Sequence, residues 1–101
     1  MKDVRRVAFV VRRTEDVFEC ARSAAGLAVE NLEVGLFILD APIELPEGDA
    51  GFLDLLEMID DLDGLVFSNL AANAEVYDSI RLLSRADAAA RLTGYDLVTA
   101  F

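Results

Sequence analysis

The stretch VAFVV, residues 7–11, is a continuous apolar run in which three of the five residues are valine. Strands that are buried on both faces of a parallel sheet have this composition, whereas half-exposed strands alternate apolar and polar residues. Arg12 and Arg13 close the run. Thr14 follows as the predicted N-cap of a helix whose first turn carries two acidic residues, where the helix dipole favours negative charge. We therefore expect a central strand followed by a helix.

Strand and helix patterns alternate along the rest of the chain. Apolar runs rich in β-branched residues predict strands near residues 5–12, 33–39, 64–68 and 96–101. Apolar residues at helical spacing predict helices near 14–31 and 51–62, a short helix over 71–78 and a helix capped by Ser84. The segment 80–83 fits either the end of a helix or a short strand. This alternation predicts one α/β domain over residues 1–101, a three-layer α/β/α sandwich with a mostly parallel sheet of four or five strands.

Composition and charge narrow the class of protein. The 101 residues, of which 54% are hydrophobic, suit a single domain with one core. The formal net charge is −10, so nucleic acid is not an expected partner, because phosphate binding requires a basic surface. The charge is uneven, since residues 23–80 contain 13 acidic side chains and no Lys or Arg. No apolar run approaches the length of a membrane span, so no membrane partner is expected either.

Few kinds of catalytic site can be assembled from these residues. The chain has no histidine, which excludes a Ser-His-Asp triad, and one cysteine without histidine excludes the usual zinc sites. The six glycines are scattered rather than gathered in a phosphate-binding loop. The acidic run at residues 60–64 does not have the ligand spacing of a calcium loop. We therefore predict no catalytic residue, no metal and no cofactor.

Cys20 is the single cysteine, so no intramolecular disulfide can form, which agrees with a cytoplasmic location. It lies at the edge of the apolar side of the first predicted helix, close in sequence to Glu15, Asp16 and Glu19. Burial and acidic neighbours both disfavour a thiolate. We interpret Cys20 as a structural rather than a reactive cysteine.

Polar residues follow the first and third predicted strands at the points where those strands end. They are Arg12 and Arg13 after the first strand and Ser68 and Asn69 after the third. Parallel sheets bind ligands beyond the carboxyl ends of their strands, so these four residues form a candidate site for a small anion. A structural role is the competing interpretation for Ser68 and Asn69, because both residue types terminate strands and satisfy turns.

Surplus apolar surface on the predicted helices indicates self-association. On the first helix, Phe18, Ala25 and Val29 widen the apolar side beyond the stripe that one sheet face needs. On the second helix, Leu53 stands apart from the main stripe. Burial beneath a loop explains the widening equally well. Because exposed apolar patches usually mark contacts and closed symmetry is the commonest arrangement, we predict a homo-oligomer, a dimer or trimer, with these four residues at its interface.

The layout of the whole chain resembles the DsrE/DsrF/DsrH-like proteins, which include the sulfur-relay subunits of tRNA thiolation and of sulfur oxidation. The resemblance covers residues 4–101 and rests on RRVAFVVRR, an alanine-rich helix, NLEVGLFILD, an amphipathic helix, DGLVFSNLAANAE and LTGYDLVTAF. It implies a three-layer α/β/α sandwich that commonly assembles as trimers or hexamers. In active members it also implies a persulfide-carrying cysteine just after the third strand.

This chain departs from the family at that position, where it has Ser68 and Asn69, and Cys20 does not correspond to it. The resemblance therefore implies the fold without sulfurtransferase activity. Two functions stay open. One is a non-catalytic subunit or scaffold of a sulfur-relay assembly, in contact with further copies or with related family subunits. The other is a small-molecule or anion-binding module that uses the cleft at the carboxyl ends of the strands. An enzymatic role with Cys20 as a redox thiol ranks below both.

Overall fold

A computed structural model describes residues 4–44 and 51–101. These residues form five strands, which are β1 (Arg6–Val11), β2 (Glu33–Ile38), β3 (Leu65–Ser68), β4 (Ile80–Leu82) and β5 (Leu97–Ala100). They also form four α-helices, which are α1 (Val17–Val29), α2 (Gly51–Asp61), α3 (Ala71–Val76) and α4 (Arg85–Leu92). The predicted α/β class is confirmed, and the ambiguous segment 80–83 contains a strand. Within the described ranges, no helix has both the length and the apolar composition needed to cross a membrane.

All five strands are parallel and lie in the order β4-β3-β2-β1-β5. β1 lies between β2 and β5, with Ala8 opposite Gly35 on one side and Val98 on the other. Its inner position explains why its sequence is a continuous apolar run, since both faces are covered. β4 and β5 form the two edges of the sheet, and most of their residues are exposed.

The two faces of the sheet are covered by different helices. α1 and α2 pack on one face of the sheet. The core between them and the sheet consists of alternating residues of the inner strands and of helix residues such as Phe52, Leu56 and Ile59. α4 packs on the opposite face, where the buried cluster is small and consists of Ala8, Phe37, Phe67 and Ala88. From β1 to β4, each strand is added on the same side of the one before it, and the chain then returns through α4 to β5 on the other side of β1. Because crossovers between parallel strands are right-handed, this reversal of direction places α4 on the opposite face of the sheet.

α1 has a wide apolar side because it packs against two elements, the sheet and α2. Phe18 is partly buried, and its ring centroid lies 6.4 Å from that of Phe52 on α2. Ala25 is 2% exposed and belongs to the core. These two residues of the predicted interface therefore contact the interior of their own domain. Val29 and Leu53 are 59% and 47% exposed, so they remain available for contacts with another molecule.

The first helix begins differently from the prediction. A single 3-10 turn, Thr14–Asp16, precedes α1, and its N-cap residue is Arg13, which makes no side-chain capping bond. Thr14 Oγ1 instead donates a hydrogen bond of 2.6 Å to the carbonyl of Pro42, a partner distant in sequence that no local pattern reveals. At the start of α4 the prediction is confirmed, since Ser84 Oγ accepts a hydrogen bond of 3.1 Å from the backbone N–H of Asp87.

Candidate functional site

The carboxyl edge of the sheet carries a connected group of polar side chains that begins at Ser68, the last residue of β3. Ser68 is fully buried, and its hydroxyl points into the protein rather than into a cleft. Its Oγ accepts hydrogen bonds from the backbone N–H of Leu70, at 3.2 Å, and from Nδ2 of Asn73, at 3.0 Å. Ser68 therefore has the structural role of a strand-terminating serine.

Asn69 joins the carboxyl ends of β2 and β3 by two reciprocal hydrogen bonds with Asp40. The backbone N–H of Asp40 donates to Asn69 Oδ1 at 2.8 Å, and Asn69 Nδ2 donates to Asp40 Oδ1 at 2.9 Å. Asp40 adopts a left-handed backbone conformation with φ of 59°, which aspartate tolerates better than most residues. The asparagine after β3 thus fixes both the backbone and the carboxylate of Asp40.

Asn73, on α3, holds the segment that follows Asp40. Its Nδ2 donates to the carbonyl of Ala41 at 3.0 Å, and its Oδ1 accepts from the backbone N–H of Ile43 at 3.0 Å. Asn73 is only 4% exposed, so these bonds satisfy an amide that would otherwise be costly to bury. With the bond from Thr14 to Pro42, each residue of the segment 40–43 is held by a side chain from another part of the chain.

Two arginines converge on the carboxylate of Asp40. Arg85, in the first turn of α4, approaches Asp40 Oδ1 at 3.1 Å through Nε and at 2.6 Å through Nη2. Arg12, just after β1, places Nη2 at 3.6 Å from Asp40 Oδ2. The Asn69 amide and the Arg85 guanidinium donate to the carboxylate and hold the pKa of Asp40 below its usual range, with smaller contributions from the charges of Arg85 and Arg12. Asp40 is therefore an anionic centre between two cationic side chains.

The structure brings together only part of the predicted anion site. Arg12 and Asn69 both contact Asp40. Arg13 turns away and pairs with Glu15 and, at 3.9 Å, with Asp16. Ser68 is occupied inside the domain. Hence the four residues do not form one cluster.

Sequence reasoning missed Asp40 and Arg85, which complete the cluster. Asp40 lies just beyond the end of the second predicted strand, and the rule that directed attention to the ends of the first and third strands applied there equally. Arg85 follows β4, whose existence the sequence left open. Arg85 would have been a candidate if the sequence had identified the short edge strand β4.

Cys20 lies away from this cluster, inside α1. It is fully buried, and burial, followed by the negative charge of Asp16, raises the pKa of its thiol to about 12. The thiol is therefore protonated at physiological pH, which fits the interpretation of a structural cysteine. Among residues 4–44 and 51–101, no group of three or more His, Cys, Asp or Glu side chains is arranged to hold a metal ion.

The edge strand β5 presents a second surface of functional interest. Leu97, Val98 and Phe101 are 49%, 46% and 41% exposed. Val98 lies on the α4 face, opposite Ala8 in the register with β1, whereas Phe101 contacts Phe9 on the other face, with ring centroids 6.2 Å apart. Both faces of this edge are therefore apolar and accessible.

No model of a known protein family matches this chain, and neither a curated protein nor a solved structure does.

Proposed function

We propose that this chain is a non-catalytic, DsrE-like subunit of a sulfur-relay type assembly, and that it self-associates through β5. The observation that carries the proposal is that this edge of the sheet is uncharged and exposes apolar side chains. From Leu97 to Phe101 the chain contains no charged residue, and three large apolar side chains of this stretch are between 41% and 49% exposed. Strand edges of this kind readily pair with another strand.

The opposite edge of the sheet shows how an edge is ordinarily protected. β4 carries the exposed Arg81 at its centre, and a charged side chain on an edge strand disfavours pairing with another strand. β5 has neither a charge nor a proline within Leu97–Ala100. This contrast supports β5, rather than β4, as the contact between copies.

The distribution of charge favours the same contact. The acidic residues 23–80 include α2, whose exposed positions carry Asp54, Glu57, Asp60 and Asp61. α2 packs beside β3, whereas β5 lies at the far side of β1. A two-fold contact between β5 strands would therefore keep the acidic helices of two copies apart and limit the repulsion that a net charge of −10 creates. Closed two-fold symmetry would extend the sheet through both copies.

The sulfur-relay part of the proposal rests on the family resemblance and on the chemistry at the end of β3. The position at which active members carry a persulfide holds Ser68 and Asn69, and both side chains make structural hydrogen bonds. The remaining thiol, Cys20, is buried with a raised pKa. The proposed subunit thus supports an assembly without carrying sulfur itself, and its further partners are related family subunits.

Light scattering after gel filtration tests the self-association. The unmodified chain should form a dimer, and Val98→Lys should convert it to a monomer with unchanged circular dichroism, because lysine at an exposed edge opposes strand pairing. The matched control is Leu82→Lys on the opposite edge. Leu82 is 54% exposed, so the control adds the same charge at a comparable exposure and should leave the dimer intact.

A monomer of 11.0 kDa for the unmodified chain, or dissociation by both variants alike, would contradict the β5 contact. The sulfur-relay assignment has a separate test. Treatment with a sulfide donor should add no sulfur atom to Cys20, and affinity purification from the native host should recover sulfur-transfer proteins. A persulfide on Cys20 would show that the chain carries sulfur, and partners unrelated to sulfur transfer would refute the assembly.

A further inference from the structure

We propose that Arg12 and Arg85, held in place by Asp40, bind a small oxyanion, a phosphate or carboxylate group, at the carboxyl edge of the sheet. The site is independent of the β5 contact and goes beyond the role of an assembly subunit. It joins two elements that are far apart in sequence, since Arg12 follows β1 and Arg85 opens α4. Asp40, after β2, lies between them.

The two arginines keep binding capacity while they contact Asp40. Arg85 directs Nε and Nη2 towards one carboxylate oxygen, and Arg12 directs Nη2 towards the other. A guanidinium carries further N–H donors beyond these, arranged in a fork that matches two oxygens of a carboxylate or phosphate. The Arg12 and Arg85 side chains are 68% and 70% exposed, so the remaining donors are accessible to a ligand in solution.

Asp40 acts as a positioning residue because it is itself fixed. Its backbone N–H and its carboxylate are both bound by Asn69, and Asn73 anchors the two residues Ala41 and Ile43 beyond it. A long, flexible arginine loses less conformational entropy on binding a ligand if a fixed carboxylate already restricts it. The buried amides at the end of β3 therefore restrict the two arginines indirectly.

The charge balance of the cluster favours an anion. Two guanidinium groups surround one carboxylate, which leaves one net positive charge at this point of an otherwise acidic protein. Arg12 also belongs to residues 1–22, which carry a net charge of +2. Exposed ion pairs in general contribute little to stability, whereas the planar guanidinium of arginine suits bidentate binding of a carboxylate or phosphate.

The unfolding temperature of the full chain, measured in sodium phosphate, sodium acetate and sodium chloride at equal ionic strength and pH 7, tests the site. We expect phosphate or acetate to stabilise the protein more than chloride does, because a ligand that binds the folded state raises its stability. Arg12→Gln and Arg85→Gln should each weaken the apparent affinity about tenfold. The control is Arg22→Gln, because Arg22 is a 59% exposed arginine on α1 paired with Glu19, and it should behave like the unmodified chain.

Each outcome of this experiment decides the proposal. Stabilisation by phosphate alone that both Arg12→Gln and Arg85→Gln lower assigns a phosphate group, and stabilisation by acetate that the same two variants lower assigns a carboxylate group. Stabilisation no greater than that of chloride overturns the site. An extra stabilisation by phosphate or acetate that Arg12→Gln and Arg85→Gln leave unchanged also overturns it, because this is the general effect of a salt excluded from the protein surface. The same holds for an extra stabilisation that Arg22→Gln lowers as much as those two variants do. If Arg85→Gln fails to fold, Arg12→Gln decides alone, since it leaves the hydrogen bonds of Asp40 with Asn69 and Arg85 in place.

Discussion

The two faces of the sheet are built from the same strands, but their helices cover them differently. On the face covered by α1 and α2, nine helix residues are buried, among them Phe52, Leu56 and Ile59. On the face covered by α4, the helix buries only Ala88, although it lies over the aromatic rings of Phe37 and Phe67. On the first face the small buried residues of α1 are accompanied by the large side chains of α2, whereas on the second face large strand side chains lie beneath one short, alanine-rich helix.

This difference explains why Val98 is accessible. α4 has eight residues and cannot cover the width of five strands, so Val98 on β5 remains 46% exposed on its side of the sheet. Polar contacts hold the two ends of α4, with Arg85 on Asp40 at one end and Arg6 on the carbonyl of Gly94, at 2.7 Å, beyond the other. Val98 of the proposed contact therefore lies on the face that α4 covers, and Arg85 of the proposed anion site lies in the first turn of α4.

The largest expected effect compares one leucine on each face. Leu56 of α2 is 1% exposed within the larger core, and Leu92 of α4 is only partly buried against the smaller one. Leu56→Ala should lower the free energy of unfolding by about 2–5 kcal/mol through lost burial and a cavity. Leu92→Ala should lower it by about 1 kcal/mol, because less area leaves water in the native state. Urea denaturation of both variants measures the difference, and equal losses would show that α4 packs as tightly as α2.

The sequence predicts the first face better than the second for a physical reason. Helical spacing of apolar residues over three or more turns identifies α1 and α2, and in α2 these residues are large. The same reasoning assigned Phe18 and Ala25 to an interface, since periodicity shows that a side is apolar without showing whether sheet, helix or subunit covers it. The alanines of α4 give a weak signal, and β4 is too short to separate from a helix end. The Asp40 cluster depends on tertiary contacts between strand ends.

A second prediction tests how closely the α4 face is packed. A Cβ atom added at Gly35 on β2 would lie 2.6 Å from Cζ of Tyr95 and closer still to its hydroxyl oxygen. Gly35→Ala should therefore lower the free energy of unfolding by about 1–3 kcal/mol through overpacking. The matched control is Gly26→Ala on the exposed side of α1, where an added Cβ meets no atom within 4 Å, and it should stabilise the protein by roughly 0.5–1 kcal/mol.

Removal of the Tyr95 ring should relieve that overpacking. In a Tyr95→Ala background, Gly35→Ala should cost less than it does alone, and a double-mutant cycle measures this coupling. Additive effects of the two substitutions would show that contact with the Tyr95 ring does not cause the loss of stability in Gly35→Ala.

The last prediction concerns pH, because burial raises the pKa of one group on each side of the sheet. Burial and Asp16 raise the pKa of the Cys20 thiol on the α1 side from 9.0 to about 12. Burial is also the main cause that raises the pKa of Tyr95 on the α4 side.

Below pH 9 the thiol is protonated in both the folded and the unfolded chain, so it adds no pH dependence. Between pH 9 and 12 only the unfolded chain loses this proton, and stability should fall by about 1.4 kcal/mol per pH unit from this group. Cys20→Ala should remove that slope. Tyr95→Phe should remove less, because the ordinary pKa of tyrosine is 10.0 and because Tyr95 is partly accessible whereas Cys20 is fully buried. Urea denaturation at pH 8 and at pH 10 gives both slopes, and thiol labelling of the folded protein at pH 8 should be slow. A larger change with Tyr95→Phe would mean that the α4 face excludes water more completely than the α1 face does.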